Sequence, residues 1–345
     1  MNIPYRVRRA LRHLVIGALV LTLFASVILF CWLLWLNRYV IYSRDGAKID
    51  FSLSIQYAPG ETPVPPDRPA HITIHDRVDE NDPEQENKEM TNFSGYFVTL
   101  DELTSDFEGV SKKLTALPSG TAVMLQLRNS RGQVYYSSSV ATQAKFDTEK
   151  VDKLLEDLQK KNIYVITSIT AFQEYDFILE NERERVPYGL AKAGGSGSLW
   201  LDSENSCYWL DPTSDGTLTR LIQLITELRS KGVDEVVFSN FRFPNTDKIR
   251  FDGDKLTALT ECAAKLVKTC ATDTFCVSFS RVEPDLSLPA GRTRLYLSGI
   301  SGMDIADVAG MTGFADPTIQ LVFQTDSGDA RFDEYCVLRP LEMMQ

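Results

Sequence analysis

The chain has three histidines, His13, His71 and His75, and all of them precede residue 93. Residues 93–345 therefore cannot assemble a Ser-His-Asp or Cys-His nucleophile, nor a histidine-based zinc site. What this stretch owns is carboxylates, arginines and aromatic rings. Asp101, Glu174, Glu283, Asp304 and Asp326 fall near expected strand ends, and a long loop offers Trp200, Asp202, Tyr208, Trp209 and Asp211. Carboxylate pairs beside flat aromatic faces suit glycoside hydrolysis: one acid protonates the leaving oxygen, the other acts as nucleophile or activates water. Aromatic rings cover the C–H faces of sugars. Asp211 with Asp304 or Asp326 is the pairing this chemistry would use. Taken singly, each acid is equally a helix cap or a solvated surface group. No cofactor and no metal are expected.

The elements that must position these groups are organised around Gly232–Pro244. Val236, Val237 and Phe238 form an apolar β-prone run that Pro244 stops. Before it, Leu218, Leu221, Ile222, Ile225 and Leu228 recur at helical spacing, and Lys231-Gly232 closes the helix. A second helical pattern follows over Asp254–Lys268. Helix, buried strand and helix in succession are the unit of a parallel α/β fold, and Ser239, Asn240 and Arg242 sit where the strand runs out.

From Phe93 onward the alternation continues. Strands are expected at Gly95–Leu100, Ala122–Leu127, Ile163–Ile169, Glu235–Phe241, Phe275–Ser280, Arg294–Leu297, Ile319–Gln324 and Tyr335–Leu338. Helices are expected at Leu103–Leu117, Thr148–Lys161, Leu218–Lys231, Asp254–Lys268 and Ile305–Met311. Eight strands in about 250 residues fit an α/β fold of the closed (β/α)8 TIM-type barrel class. Pro284 and Pro289 exclude a helix from Val282–Thr293. The runner-up is an open doubly wound sheet, although no Gly-x-Gly-x-x-Gly follows the first strand. Gly194-Gly195-Ser196-Gly197 reads as a flexible loop and not as a phosphate cradle.

Ahead of the barrel, Leu14–Leu36 is an uncharged run of 23 residues, enough to span a hydrocarbon core of roughly 30 Å. Arg6, Arg8, Arg9 and Arg12 precede it, which places the N-terminus in the cytoplasm and the barrel outside, on a single-pass signal anchor of the cell membrane. The run exceeds a signal-peptide core, and no Ala-x-Ala-like cleavage site follows. Residues 37–92 read as a disordered stalk: one short strand at Ile49–Tyr57, then Pro59 to Pro69, then an acidic run over Asp76–Glu89. The expected domains are thus 1–36, 37–92 and 93–345. The whole chain carries −11, and the part after residue 36 holds 32 Lys and Arg against 47 Asp and Glu, −15. That acidity disfavours nucleic acid and anionic lipid surfaces as partners and places no penalty on a neutral glycan. Five cysteines lie beyond the apolar run without a Cys-x-x-Cys pair, and buried reduced thiols are the expectation.

In the order Asn162–Ile169, Leu199-Trp200-Leu201-Asp202, Trp209-Leu210-Asp211-Pro212 and Gly232–Pro244, the chain resembles a bacterial family of proposed glycoside hydrolases. That family has a TIM-barrel domain, often tethered to the cell envelope and distantly related to α-amylase-type barrels. The resemblance covers roughly 93–340. It implies a cell-envelope or extracellular carbohydrate partner and a site at the carboxyl ends of the strands. Trp209, Asp211, Arg242 and Pro244 match the family pattern as they stand, and Gln324-Thr325-Asp326 matches it less distinctively. Where the family tends to carry an acid at the fourth strand, this chain has Ser239. Where an acidic arrangement precedes Gly-x-Val-Tyr-Tyr, this chain has Gln126-Leu127-Arg128-Asn129 before Gly132–Tyr136. Gln126 and Asn129 keep the hydrogen-bonding capacity of acids and cannot ionise or form a glycosyl ester.

The expected binding residues are therefore Trp200, Asp202, Tyr208, Trp209, Arg242, Ser239, Asn240, Gln126, Arg128 and Asn129. The expected function is a membrane-anchored, glycoside hydrolase-like barrel with a degenerate catalytic site, acting on or binding envelope carbohydrate. Two alternatives remain: an active glycosidase using other carboxylates, and a protein-binding scaffold of the envelope.

Overall fold

The apolar run at the centre of the sequence forms a strand, Glu235–Ser239, and it is one of eight that close on themselves. We number the barrel strands β1 Ser94–Val98, β2 Ala122–Gln126, β3 Tyr164–Thr170, β4 Glu235–Ser239, β5 Cys276–Arg281, β6 Leu295–Ser298, β7 Leu321–Gln324 and β8 Cys336–Pro340. Each pairs in parallel with its sequence neighbours. The ring closes where β8 pairs with β1, Leu338 opposite Gly95. That pairing excludes the open sheet and makes this a (β/α)8 barrel of the TIM type. The structure is a computed structural model, and residues 40–43, 46–49, 90–181, 188–194 and 198–344 are described in it.

The helices are α1 Leu100–Ser105, α2 Phe107–Ala116, α3 Thr148–Lys160, α4 Asp176–Asn181, α5 Asp215–Ser230, α6 Lys255–Cys270, α7 Ile305–Thr312 and α8 Pro317–Gln320. In α3 the buried residues are Val151, Leu154, Leu155 and Leu158, the spacing that gives one apolar stripe against the strands. Past the end of α5, Gly232 takes φ 81, a left-handed stop that a glycine accepts without strain. One expected helix divides. Asp106 interrupts Leu103–Leu117 because its carboxylate caps the second segment, accepting from Gly109 N at 3.0 Å. No helix joins β5 to β6, as Pro284 and Pro289 require.

Two apolar layers result. The larger lies between the outer faces of the strands and the helices, and the smaller fills the barrel with Ala122, Met124, Ile166, Val237, Tyr296, Val322, Cys336 and Leu338. At the amino end of the barrel the Glu235 carboxylate accepts from Arg294 Nη1 at 2.6 Å, Tyr164 Oη at 2.8 Å and Tyr296 Oη at 2.9 Å. Arg294 Nη2 also donates to Thr91 O at 3.1 Å, and its guanidinium lies 5.0 Å from the Phe93 ring centroid. Residues before β1 therefore close the barrel floor. All five described cysteines are buried free thiols.

The chain divides into two compact units, Met1–Asp82 and Pro83–Gln345. In the first, Val40–Ser43 pairs antiparallel with Gly46–Ile49. Of the strand expected at Ile49–Tyr57 only Ile49 is described, and the rest of that stretch lies outside the described residues. The apolar run Leu14–Leu36, the acidic run Asp76–Glu89 and Gly195–Gly197 lie outside the described residues. Among the described residues no helix is long and apolar enough to cross a membrane.

Candidate functional site

Inward-facing positions alternate along each strand, so the apolar layer fixes what stands above it at the carboxyl end. Met124 and Ile166 point inward, and two residues on stand Gln126 and Ser168, opposite each other in the register. Val237 leads to Ser239, opposite Thr170. Tyr296 leads to Ser298, opposite Gln324, and Ser280 lies beside Tyr296. The polar side chains that ring the mouth are thus serine, threonine and glutamine, with no carboxylate among these strand-end positions. Gln126 Oε1 accepts from Leu100 N at 3.1 Å. The Ser239 hydroxyl, at the position where an acid is expected from the resemblance, is buried without a hydrogen-bond partner among the described residues.

Beside the mouth, the loops that follow β3 and β4 build a cleft of about 330 Å³. The first loop folds into a three-stranded antiparallel sheet from Gln173–Glu174, Cys207–Trp209 and Leu201–Asp202. It is joined to the second loop by pairing of Ala191–Lys192 with Ile249–Arg250. β4 ends at Ser239, and Asn240 takes a left-handed φ of 51, so the alternation of an ideal strand stops there. Asn240 Nδ2 donates to Gln173 Oε1 at 3.1 Å, which holds the turn to the first loop. Arg242 then reaches the cleft.

Trp200, Asp202, Trp209, Arg242 and Pro244 line this cleft together, with Asn245, Thr246 and Lys248 on the side of the second loop. Trp209 is 1% exposed, and its indole Nε1 donates to Asp202 Oδ2 at 3.0 Å. Asp202 Oδ2 also accepts from Asn205 Nδ2, and Oδ1 from the backbone N–H groups of Glu204 and Asn205. Burial pushes the Asp202 carboxyl up, but the hydrogen bonds from Asn205 and Trp209 outweigh it and hold the group below its usual range. The Arg242 guanidinium lies over the Trp209 ring at 5.2 Å from the centroid. Trp200 is half-buried and supplies the cleft's accessible ring.

The remaining sequence candidates are dispersed. Asp211 is half-buried outside the cleft, and its Oδ1 accepts from Thr213 N at 2.9 Å and Thr213 Oγ1 at 2.7 Å, closing the turn before α5. Asp304 precedes α7 and Asp326 follows β7, both exposed. Tyr208 stacks on Tyr175 with centroids 5.8 Å apart. Asn129 closes a turn, its Oδ1 accepting from Arg131 N and Gln133 N, both at 3.0 Å. Arg128 is fully buried; it pairs with Glu174 and donates to Thr170 O, so it fixes the loop after β2 and reaches no solvent. Glu174, offered by sequence as a free acid, is 1% exposed and shared between Arg128 and Arg220. Burial pushes its carboxyl up, with both guanidinium groups pulling against that shift. Burial likewise pushes the Cys207 thiol up to about 12, which removes it as a nucleophile.

Lys248, Asn245 and Thr246 were not singled out from the sequence. Their signal was position alone: they follow directly on the matching Arg242–Pro244 run.

The closed ring of eight parallel strands, with its cleft on the carboxyl side, defines a TIM-type barrel. Residues 106–273, a little under half of the chain, match a family described as "Putative glycosyl hydrolase domain". That match spans Asn162–Ile169, Leu199–Asp202, Trp209–Pro212 and Gly232–Pro244, the stretches on which the resemblance rests. A cycloisomaltooligosaccharide glucanotransferase from Paenibacillus sp., solved with cycloisomaltoheptaose, is similar in structure with a TM-score of 0.50 and 8% identity. The alignment covers 68% of this chain and 38% of that one, a likeness of fold alone. A hypothetical protein from Ruminiclostridium thermocellum ATCC 27405 aligns at 23% identity over 54% of this chain and 96% of its own, TM-score 0.44. Eubacterium rectale Amy13B aligns at 11% identity over 72% and 65%, TM-score 0.47. No curated protein matches the chain.

Proposed function

We propose that this is a membrane-anchored, extracytoplasmic barrel that binds envelope or extracellular carbohydrate and has lost the usual hydrolytic reaction. One observation carries the reading. The inward-facing polar residues at the strand ends are Gln126, Ser168, Thr170, Ser239, Ser280, Ser298 and Gln324, and none can ionise as a carboxylic acid. Hydrolysis needs two carboxyl groups about 5–5.5 Å apart for retention, or about 6.5–9.5 Å for inversion. A serine hydroxyl without a histidine cannot replace a carboxylate nucleophile. Binding needs no ionised acid, and the cleft keeps a half-buried Trp200 among amides and hydroxyls. Anchoring is supported by the Leu14–Leu36 run with its arginines before it.

The second reading is an active glycosidase using Asp304 and Asp326, favoured by their position past the ends of the adjacent strands β6 and β7. A panel of envelope and storage glycans, assayed for both binding and reducing-end release, separates the two. The expected outcome is binding without turnover, with some turnover appearing in Ser239→Asp combined with Gln126→Asp. Brisk turnover by the wild type, abolished in Asp304→Asn with Asp326→Asn, would overturn the proposal.

A further inference from the structure

The most deeply placed arginines of the barrel each have an acidic partner: Arg128 and Arg220 with Glu174, Arg281 with Asp285, Arg294 with Glu235. Arg242 differs. It is half-buried in the cleft, and among the described residues no carboxylate lies within ion-pair distance of it. The Trp209 ring supports its guanidinium from behind, and Nη1 donates to Phe243 O at 3.2 Å. One of five N–H donors is thereby used, and the fork is held in place with donors to spare. Trp209 itself is buried, so it offers no face to a ligand; it orients the arginine. Lys248 stands exposed on the same wall.

Two acids share the cleft. Asp202 has both oxygens occupied, by four N–H donors from Trp209, Asn205 and Glu204. Glu204 is exposed on the turn. The −15 carried by the chain beyond residue 36 opposes an anion at long range. At physiological salt, however, exposed charges are screened beyond about 8 Å, so the groups in the cleft decide.

Resting on the carbohydrate-binding reading, we infer that the cleft selects an acidic sugar, a hexuronate residue whose carboxylate is taken by Arg242 while Trp200 covers a ring face. A guanidinium fork matches a planar carboxylate with two parallel N–H donors. Glu204 moderates the attraction and Lys248 adds to it.

The test uses the full chain in detergent and titration calorimetry. The ligands are oligosaccharides of galacturonate, glucuronate and mannuronate, each beside its carboxyl-reduced neutral counterpart. The expected result is at least one uronate bound tenfold or more tighter than its neutral counterpart, with the difference shrinking as salt rises. Arg242→Gln should abolish most of that difference, Arg242→Lys should restore part of it, and Glu204→Gln should tighten the uronate alone. The comparison of paired ligands on the wild type needs no variant, so a folding defect in Arg242→Gln leaves the result readable. Equal affinity within every pair, or preference for the neutral sugar, overturns the acidic-sugar inference and leaves carbohydrate binding intact. Failure of every ligand, charged and neutral, overturns both readings.

Discussion

Replacing Glu235 with glutamine removes one negative charge from the barrel floor and little else. Glu235 is fully buried and Arg294 is 2% exposed. Burial lowers the Arg294 pKa, and the Glu235 carboxylate, together with Tyr164, Tyr296 and Cys276, more than reverses that, leaving the guanidinium above its ordinary value. In Glu235→Gln the desolvation of Arg294 remains and its main compensation goes. Breaking a buried pair from one side costs about 3–5 kcal/mol, against a total domain stability of about 5–15 kcal/mol. Tyr296→Phe is the calibrating variant, since it removes one phenol donor at 2.9 Å and keeps both charges. A hydrogen bond to a charged group is worth about 1.5–3 kcal/mol, so this variant should fall by less. Glu235→Leu with Arg294→Met removes both charges and should recover much of the loss.

Urea unfolding of the full chain in detergent, followed by circular dichroism and tryptophan fluorescence, measures all three. A raised arginine pKa contributes stability that is fully present below the already high unfolded value and is lost only as pH rises through the still higher folded one, so the Arg294 contribution is flat across the neutral range. A loss below about 1 kcal/mol in Glu235→Gln, or a double variant worse than that single one, would refute the reasoning.

Asp202 has a depressed carboxyl, so its contribution is present above its ordinary value of 3.8 and disappears as pH falls through the lower folded value. Trp209 emission should change in that acid range, and Asp202→Asn should abolish the acid step while loosening the cleft at neutral pH. Gly132 has φ 84, and a Cβ there would run into Glu174 Oε2, whereas Gly120 has φ 83 with open space beside it. Gly132→Ala should therefore lower the urea midpoint more than Gly120→Ala, for which the backbone alone costs about 1–2 kcal/mol; equal midpoints would show that Glu174 does not crowd this turn. Limited proteolysis should release a fragment that keeps Thr91 and Phe93 on the barrel floor, and a stable fragment beginning after Ser94 would contradict the contacts of Arg294. Protease added to intact cells or protoplasts should digest the chain beyond residue 37, and full protection until lysis would sink the extracytoplasmic placement.

The sequence by itself determined the strands and most of the helices. A parallel strand buried on both faces reads as an apolar run, and a helix on its outside reads as a stripe, so Glu235–Ser239 and Val151–Leu158 declare themselves locally. Pro284 and Pro289 acted on their own backbones, and so the missing helix between β5 and β6 was legible too. Asp106 was not read as a cap, because a capping carboxylate looks like any other acid until its amide partner is placed.

Only the tertiary structure decided which polar groups share a site. Glu174 and Arg220 are 46 residues apart and meet through a hydrogen bond at 3.3 Å, which withdraws a free acid from the candidate list. Arg128 is likewise consumed, and Asp211 turns back on Thr213 although it stands two residues from Trp209. Lys248 and Trp200, far apart in the chain, line one cleft because Ala191–Lys192 pairs with Ile249–Arg250. Periodicity reports the environment that a backbone segment makes for itself. The charge state, orientation and partners of a polar side chain depend on groups brought near by ring closure and loop pairing, and these are long-range in sequence.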